Sequence, residues 1–216
     1  MATLQINPWR GIWVRTRETI RAIVQFNPRY MLPLLYFIYG LPMFFQMAQN
    51  FSLGDRYSLT GIIVVALLLS IVLGLVMINI GAGLLYWTGK WIGGIGSFQN
   101  IRAAVAWSNV PNAVNILLWF INIAAFGSRI FKQEFIETPF AGHELGLIFF
   151  TAVVQVVLAV WSFIIVLRAL SEVQGFSMWR AFFNLIIPGL VIFAAIFILG
   201  FLVSMMAGTP GPNQLK

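Results

Sequence analysis

Five long apolar segments constrain this chain more than any other feature of its sequence. A helix needs about 20 consecutive, mostly apolar residues to cross the hydrocarbon core of a membrane, and each of the five reaches that length. A soluble domain could not cover so much apolar surface, because 60% of the 216 residues are hydrophobic and only 9% are charged. The sequence therefore predicts an all-α, polytopic membrane bundle of five transmembrane helices at approximately 30–50, 61–88, 103–127, 145–168 and 181–206.

The first of these segments departs from an ordinary span. Pro33, Gly40 and Pro42 interrupt its helical pattern, and such breaks are tolerated in a membrane only where protein or water satisfies the freed backbone groups. We expect this span to be kinked or partly re-entrant. The whole chain then divides into a cytoplasmic amphipathic segment at 1–29, a membrane domain at 30–206 and a Gly- and Pro-rich, short disordered tail at 207–216.

Small residues in the second span predict a close helix crossing. Ser70 and Gly74 are four positions apart and therefore share one face of the helix. Such pairs let the backbones of two membrane helices approach closely.

The distribution of basic residues predicts the orientation of the bundle. Lysine and arginine are enriched in cytoplasmic loops of membrane proteins. With five spans, one side holds Arg10, Arg15, Arg17, Arg21, Arg29, Lys90, Arg102, Arg168 and Arg180, and the other holds Arg56, Arg129, Lys132 and Lys216. We therefore expect the N-terminus in the cytoplasm and the C-terminus outside. Basic residues at the span ends that orient the protein in the membrane explain the net charge of +7. Nucleic-acid binding is therefore not expected.

The stretch NPWRGIWVRTRETIRAIVQFNP, from Asn7 to Pro28, has the pattern of an amphipathic helix. At about 100° per residue its tryptophans and isoleucines fall on one face and its arginines on the flanks, and the Asn-Pro pairs are typical of a helix start and stop. Trp suits the headgroup level and Arg reaches anionic phosphates. The predicted site for the membrane surface and anionic lipid is Trp9, Arg10, Trp13, Arg15, Arg17 and Arg21. The alternative is a surface helix that packs on the inner loops without a lipid role.

The polar residues deep inside the predicted spans are amides and hydroxyls, which weighs against an ion-coupled pump. Asn112, Asn115 and Asn122 share one helical face with Ser108 and Trp119, because separations of three, four and seven residues return to the same side. These amides either bond across helices in a structural role or line a groove for a polar group or lipid headgroup. The candidate intramembrane polar site comprises Asn79, Ser108, Asn109, Asn112, Asn115, Asn122, Gln155 and Asn184.

The residues needed for catalysis or metal binding do not come together in this sequence. There is no cysteine, the single histidine is His143, and the glycine-rich GKWIGGIGS from Gly89 lacks the spacings of phosphate-binding loops. No Ser-His-Asp set and no pair of catalytic carboxylates can be assembled. We therefore expect no catalytic residues, no metal site, no cofactor and no enzymatic activity.

Three stretches together resemble the bacterial branch of the Yip-domain family, the Ypt/Rab-interacting membrane proteins: NPWRGIWVRTRETIRAIVQFNP, GGIGSFQNIRAAVAWSNVP and LSEVQGFSMWRA. The resemblance extends from about Asn7 to Gly208 and implies a five-span helical protein with a cytoplasmic N-terminus, here in a bacterial inner membrane. Eukaryotic relatives are associated with Rab GTPases and membrane trafficking. This sequence has no long hydrophilic region before Asn7 and no Asp-Leu-Tyr-Gly-Pro motif, so Rab binding is not expected.

Two functional hypotheses follow. In the first, the protein is non-enzymatic and organises protein partners or lipids at the cytoplasmic membrane face, with membrane lipids and their anionic headgroups as ligands and a membrane-protein partner or a second copy as a possible neighbour. In the second, it is a transporter or lipid-handling conduit that uses the polar groove on the third span.

Overall fold

The structure is a computed structural model that describes residue 4 and residues 6–137 and 139–206. The described residues form helices and connections, without a β-strand. The α-helices are α1 Pro8–Val14, α2 Thr16–Phe26, α3 Leu32–Asn50, α4 Leu59–Trp91, α5 Phe98–Ser108, α6 Asn112–Phe126, α7 Glu134–Glu137, α8 Gly142–Gln174 and α9 Met178–Met206. Short 3-10 helices lie at Leu53–Asp55 and Gly127–Phe131. The tail predicted at 207–216 lies outside the described residues.

Four of the described helical segments are long and apolar enough to cross a membrane: Leu59–Trp91, Asn112–Phe131, Gly142–Gln174 and Met178–Val203. The prediction of an all-α protein with several membrane-length helices is therefore confirmed, with four such helices among the described residues. The first predicted span, α3, is not among the four, because its prolines and its terminal amides lower its mean hydropathy.

Helix α3 is continuous through Pro42, so the chain does not turn back within this segment, and the expected kink at its prolines stays a prediction. Pro33 lies in the first turn, where the missing N–H has no intrahelical acceptor to lose. A Cβ added to Gly40 would overlap the carbonyl oxygen of Ser70 on α4, and one added to Gly74 would overlap the carbonyl oxygen of Tyr36 on α3. The predicted close crossing at Ser70 and Gly74 is therefore confirmed, with α3 as the partner.

The third predicted span, 103–127, was expected to be a single helix, and that prediction is wrong. The chain forms α5, a turn at 109–111, and then α6. Pro111 has no N–H to donate to the carbonyl four residues earlier, and its ring clashes with that turn of a helix. The backbone N–H groups of Asn109 and Val110 instead donate to the carbonyls of Ala106 and Trp107, each at 3.2 Å.

The N-terminal segment consists of two helices rather than one, because the backbone of Arg15 leaves the helical region between α1 and α2. The predicted start is confirmed: Asn7 Oδ1 accepts from the N–H of Trp9 at 3.0 Å. Ile12, Ile20 and Ile23 are fully buried in a core cluster with residues of α5 and α8. The apolar face therefore packs on the bundle, as the alternative interpretation had it, while the arginines remain on the outer side.

The basic residues lie at two ends of the bundle, grouped as predicted. One end is built from α1, α2, the turn before α3, the end of α4, α5, the end of α8 and the start of α9, and it carries nine of the thirteen lysines and arginines. The opposite end is built from the two 3-10 helices and α7, where Asp55 Oδ2 accepts from the N–H of Gln133 at 3.3 Å. Arg56, Arg129 and Lys132 lie there, and Lys216 is outside the described residues.

Candidate functional site

A groove at the basic end lies between the start of α2 and the regions where α8 ends and α9 begins. Its volume is about 470 Å³, and it is lined by Val14, Arg15, Thr16, Arg17, Glu18, Arg168 and Met178. Arg17 Nη2 donates to Ser171 Oγ at 3.1 Å, which holds that side chain against α8. The side chains of Arg15 and Arg168 are exposed and form neither a hydrogen bond nor an ion pair with the described part of the chain. This cationic groove can therefore accept an anion.

The other predicted surface residues have different surroundings. Arg21 forms an ion pair with Glu172 at 2.6 Å, and this hydrogen bond, together with the charge of Glu172, raises the pKa of Arg21. Arg10 is exposed. Trp9 packs edge-on against Trp107 with 5.3 Å between the ring centroids, so it is held by protein. The structure thus brings only Arg15 and Arg17 of the predicted set into the groove.

Exposed tryptophans at the same end were missed in the sequence. Trp87 and Trp91 at the end of α4 are 64% and 66% exposed, and Trp179 at the start of α9 is 72% exposed. Tryptophan is enriched where membrane helices meet the headgroups. The signal was present, because Trp91 and Trp179 are each next to a lysine or arginine at the end of an apolar segment, and Trp87 is three residues before Lys90.

A cavity of about 130 Å³ lies between α3, α6 and α8 in the half of the bundle away from the basic end. Its polar lining consists of Gln46, Gln49, Asn122, Thr151 and Gln155. Asn122 is only 8% exposed, and its Oδ1 is buried without a hydrogen-bond partner in the described protein. The aromatic and aliphatic lining comprises Trp119, Phe126, Ile130, Phe135, Ile148 and Ala152.

A second groove of about 390 Å³ adjoins this cavity, since Gln46 and Trp119 line both. Asn112 and Asn115 face it from α6, and it is completed by Tyr39, Pro42, Met43, Met47 and Asn50 of α3. Gln155 Nε2 donates to Asn115 Oδ1 at 3.2 Å, which ties α8 to α6. We call the cavity and this groove together the amide cleft. Four predicted residues, Asn112, Asn115, Asn122 and Gln155, are brought together here.

The remaining predicted amides and the hydroxyl lie elsewhere. Ser108 Oγ donates to the carbonyl of Ala104 at 2.6 Å, and Asn109 Nδ2 donates to that of Val105 at 2.8 Å. Ser108 therefore does not share the α6 face, contrary to the prediction, because it belongs to α5. Asn184 Oδ1 accepts from Thr88 Oγ1 at 2.8 Å, which joins α4 to α9.

Arg102 reaches into the bundle, although the sequence placed it in a loop. Its Nη1 donates to Asn79 Oδ1 at 3.4 Å, and Asn79 Nδ2 lies 3.4 Å from the hydroxyl of Tyr36. Its guanidinium also lies over the ring of Phe98, 5.7 Å from the centroid. Asn79 is thus part of a polar network that joins α3, α4 and α5 near the basic end.

The glycine-rich connection between α4 and α5 encloses the side chain of Gln174. The N–H of Gly96 donates to Gln174 Oε1 at 3.3 Å, and Gln174 Nε2 donates to the carbonyl of Leu85 at 3.2 Å. A Cβ added to Gly89 or Gly94 would overlap the Gln174 amide. These glycines are therefore explained by close packing, without a bound phosphate.

Four apolar membrane-length helices, a basic end with exposed tryptophans and a polar cleft between helices define a polytopic α-helical integral membrane protein. Within the described residues, no three or more histidine, cysteine, aspartate or glutamate side chains could together hold a metal ion. The chain belongs to the Yip1 domain family, whose family model matches residues 10–203. No curated protein and no solved structure matches it.

Proposed function

We propose that this is a non-enzymatic protein of a bacterial inner, or cytoplasmic, membrane that binds anionic lipid headgroups at its cytoplasmic face and so organises lipids or protein partners there. The observation that carries the proposal is the cationic groove with Arg15, Arg17 and Arg168. The exposed tryptophans at the same end support it, because their rings suit the headgroup level beside the groove.

The charge balance at this end favours an anionic ligand. Nine basic residues are accompanied there by two acidic ones, Glu18 and Glu172, and Glu172 is paired with Arg21. The negative surface of a cytoplasmic leaflet attracts such a cluster, and the attraction falls off within a Debye length. Headgroup binding at the groove is therefore expected to weaken as salt concentration rises.

The proposed orientation places the N-terminus in the cytoplasm and the C-terminus outside. It requires five spans, so α3 must cross the membrane in addition to the four long apolar segments. Helix α3 has 19 residues, which at 1.5 Å per residue gives about 28 Å, close to the thickness of the hydrocarbon core. It packs against α4 and α6, and these neighbours cover its middle. Its amides Gln46, Gln49 and Asn50 lie in the last turns, at headgroup depth.

The test is the affinity of the full-length protein in detergent for dioctanoyl phosphatidylglycerol, with dioctanoyl phosphatidylcholine as the zwitterionic comparison. Each cation near the headgroup contributes about a fivefold effect, so Arg15→Gln with Arg168→Gln is expected to weaken binding about 25-fold at low salt. The matched control is Arg56→Gln, an exposed arginine at the opposite end. Equal affinities of the double variant and the control, or binding that does not respond to salt, would refute the proposal.

A further inference from the structure

We infer that the amide cleft binds an uncharged, hydroxyl-bearing lipid, with its headgroup in the cavity beside Asn122 and its acyl chain along the groove between α3 and α6. This inference is independent of the proposed anionic-lipid function, because the two sites lie in opposite halves of the bundle and share no lining residue.

The first argument is the unsatisfied amide. Asn122 Oδ1 is buried without a partner in the described protein, and a buried polar group without a hydrogen bond costs about 1–3 kcal/mol. A ligand that donates a hydrogen bond there would recover this energy. A hydroxyl group both donates and accepts, so it suits either orientation of the Asn122 amide.

The second argument is the charge of the lining. Among the described residues, no aspartate, glutamate, lysine, arginine or histidine lines the cavity or the groove. Near the end of the bundle beyond the cavity, Arg129 Nη1 is held by Glu144 Oε1 at 2.8 Å. An anionic phosphate in the cavity would have no cation of the lining to bind. An uncharged headgroup avoids the cost of burying a charge without a partner.

The third argument is depth and direction. Asn122 lies four residues before the end of α6, or about 6 Å along the axis, so the cavity is nearer the outer end of this helix than the groove is. Asn112 lies ten residues earlier, about 15 Å deeper. The groove between these levels is lined in part by Met43, Met47 and Pro42. A polar chamber near the outer end of α6 that continues into a partly apolar groove matches the shape of a lipid better than that of a water-soluble polyol.

The probe is dioctanoylglycerol, and the experiment measures how it changes the thermal unfolding midpoint of the full-length protein in detergent. Dioctanoylglycerol should raise the midpoint, because a ligand that binds only the folded protein stabilises it. The acetylated analogue, which has no hydroxyl, and free glycerol at equal concentration should not. An equal shift with the acetylated analogue overturns the proposed hydroxyl recognition, and an equal shift with glycerol overturns the assignment to a lipid.

Two variants locate the site. Asn122→Leu removes the unpaired amide and is expected to weaken dioctanoylglycerol binding about tenfold or more, without loss of stability. Ala152→Phe starts from an exposed residue of the cavity lining, so it should block the cavity even if Asn122→Leu does not fold. The matched control is Asn100→Leu on α5 at the opposite end, which should bind normally. Unchanged binding by a folded Asn122→Leu or Ala152→Phe protein would overturn the inference.

Discussion

Replacing Gly74 by alanine should separate α3 from α4 at their crossing and destabilise the protein. A Cβ at this position would overlap the carbonyl oxygen of Tyr36 and lie 2.9 Å from the Cα of Tyr36. Both atoms belong to the backbone, so no side-chain rotation can relieve the contact, and the two helices must move apart.

The size of the effect follows from two opposing contributions. Forcing an additional methyl group into a packed contact typically costs about 1–3 kcal/mol, whereas alanine in a helix interior is favoured over glycine by about 0.8–1.0 kcal/mol. Gly81→Ala in the same helix measures the helix preference of alanine alone, because nothing lies within 4 Å of a Cβ added there. The difference between the two variants therefore isolates the clash, at about 1–3 kcal/mol.

The assay is reversible unfolding of the full-length protein in mixed micelles by added sodium dodecyl sulfate, followed by far-ultraviolet circular dichroism. The free energies of unfolding of Gly74→Ala and Gly81→Ala are compared at the same detergent ratio. Gly40→Ala should behave like Gly74→Ala, because its Cβ would overlap the Ser70 carbonyl. If Gly74→Ala is as stable as Gly81→Ala, the close helix crossing described here is refuted.

Two buried hydrogen-bond sites give further predictions for the same unfolding assay. Gln174→Leu leaves the N–H of Gly96 without its acceptor and should cost about 1–3 kcal/mol; an unchanged free energy of unfolding would contradict the enclosure of Gln174 by the glycine-rich connection. A double-mutant cycle of Thr88→Val and Asn184→Leu should give a coupling of about 0.6 kcal/mol, because separated helices in a membrane also find hydrogen-bond partners. A coupling of zero would show that the 2.8 Å contact between α4 and α9 contributes nothing to stability.

The existence of the long apolar helices could be predicted from the sequence, but their ends could not. The predicted fourth span stops at residue 168, whereas α8 continues to Gln174 and ends where Gly175 takes a positive φ of 68°. The hydropathy falls at Arg168 because α8 reaches the basic end of the bundle there. A fall in hydropathy marks the expected membrane boundary, whereas glycine marks the end of the helix.

The broken third span shows a local limit of the same reasoning. Pro111 was visible, but a proline near the first turn of a helix is also common. Whether Pro111 breaks a helix or begins one depends on where that helix starts. Here α5 precedes the turn and packs against α2, α3, α4 and α8, so α6 begins after Pro111. Hydropathy does not distinguish an apolar helix buried by protein from one surrounded by lipid.

The side of the amide cleft that α6 forms could be predicted from the sequence, but the opposing side on α3 could not. The spacing of Asn112, Asn115 and Asn122 on one face was enough to indicate a polar side of α6. The opposing Gln46 and Gln49 were not predicted, because helical periodicity does not say which helices are neighbours in the bundle. The same limit concealed the approach of Arg102 to Asn79, which depends on the packing of α5 beside α4.

Helix α8 runs without interruption past both candidate ligand sites. Gln155 lines the cavity, and Arg168 lines the cationic groove, thirteen residues or about 20 Å further along the axis. Arg17 and Arg21 attach α2 to the same helix through Ser171 and Glu172. A rigid-body tilt of α8 would therefore displace the guanidinium of Arg168 and the amide of Gln155 together, and a change at one proposed site would reach the other through a single helix.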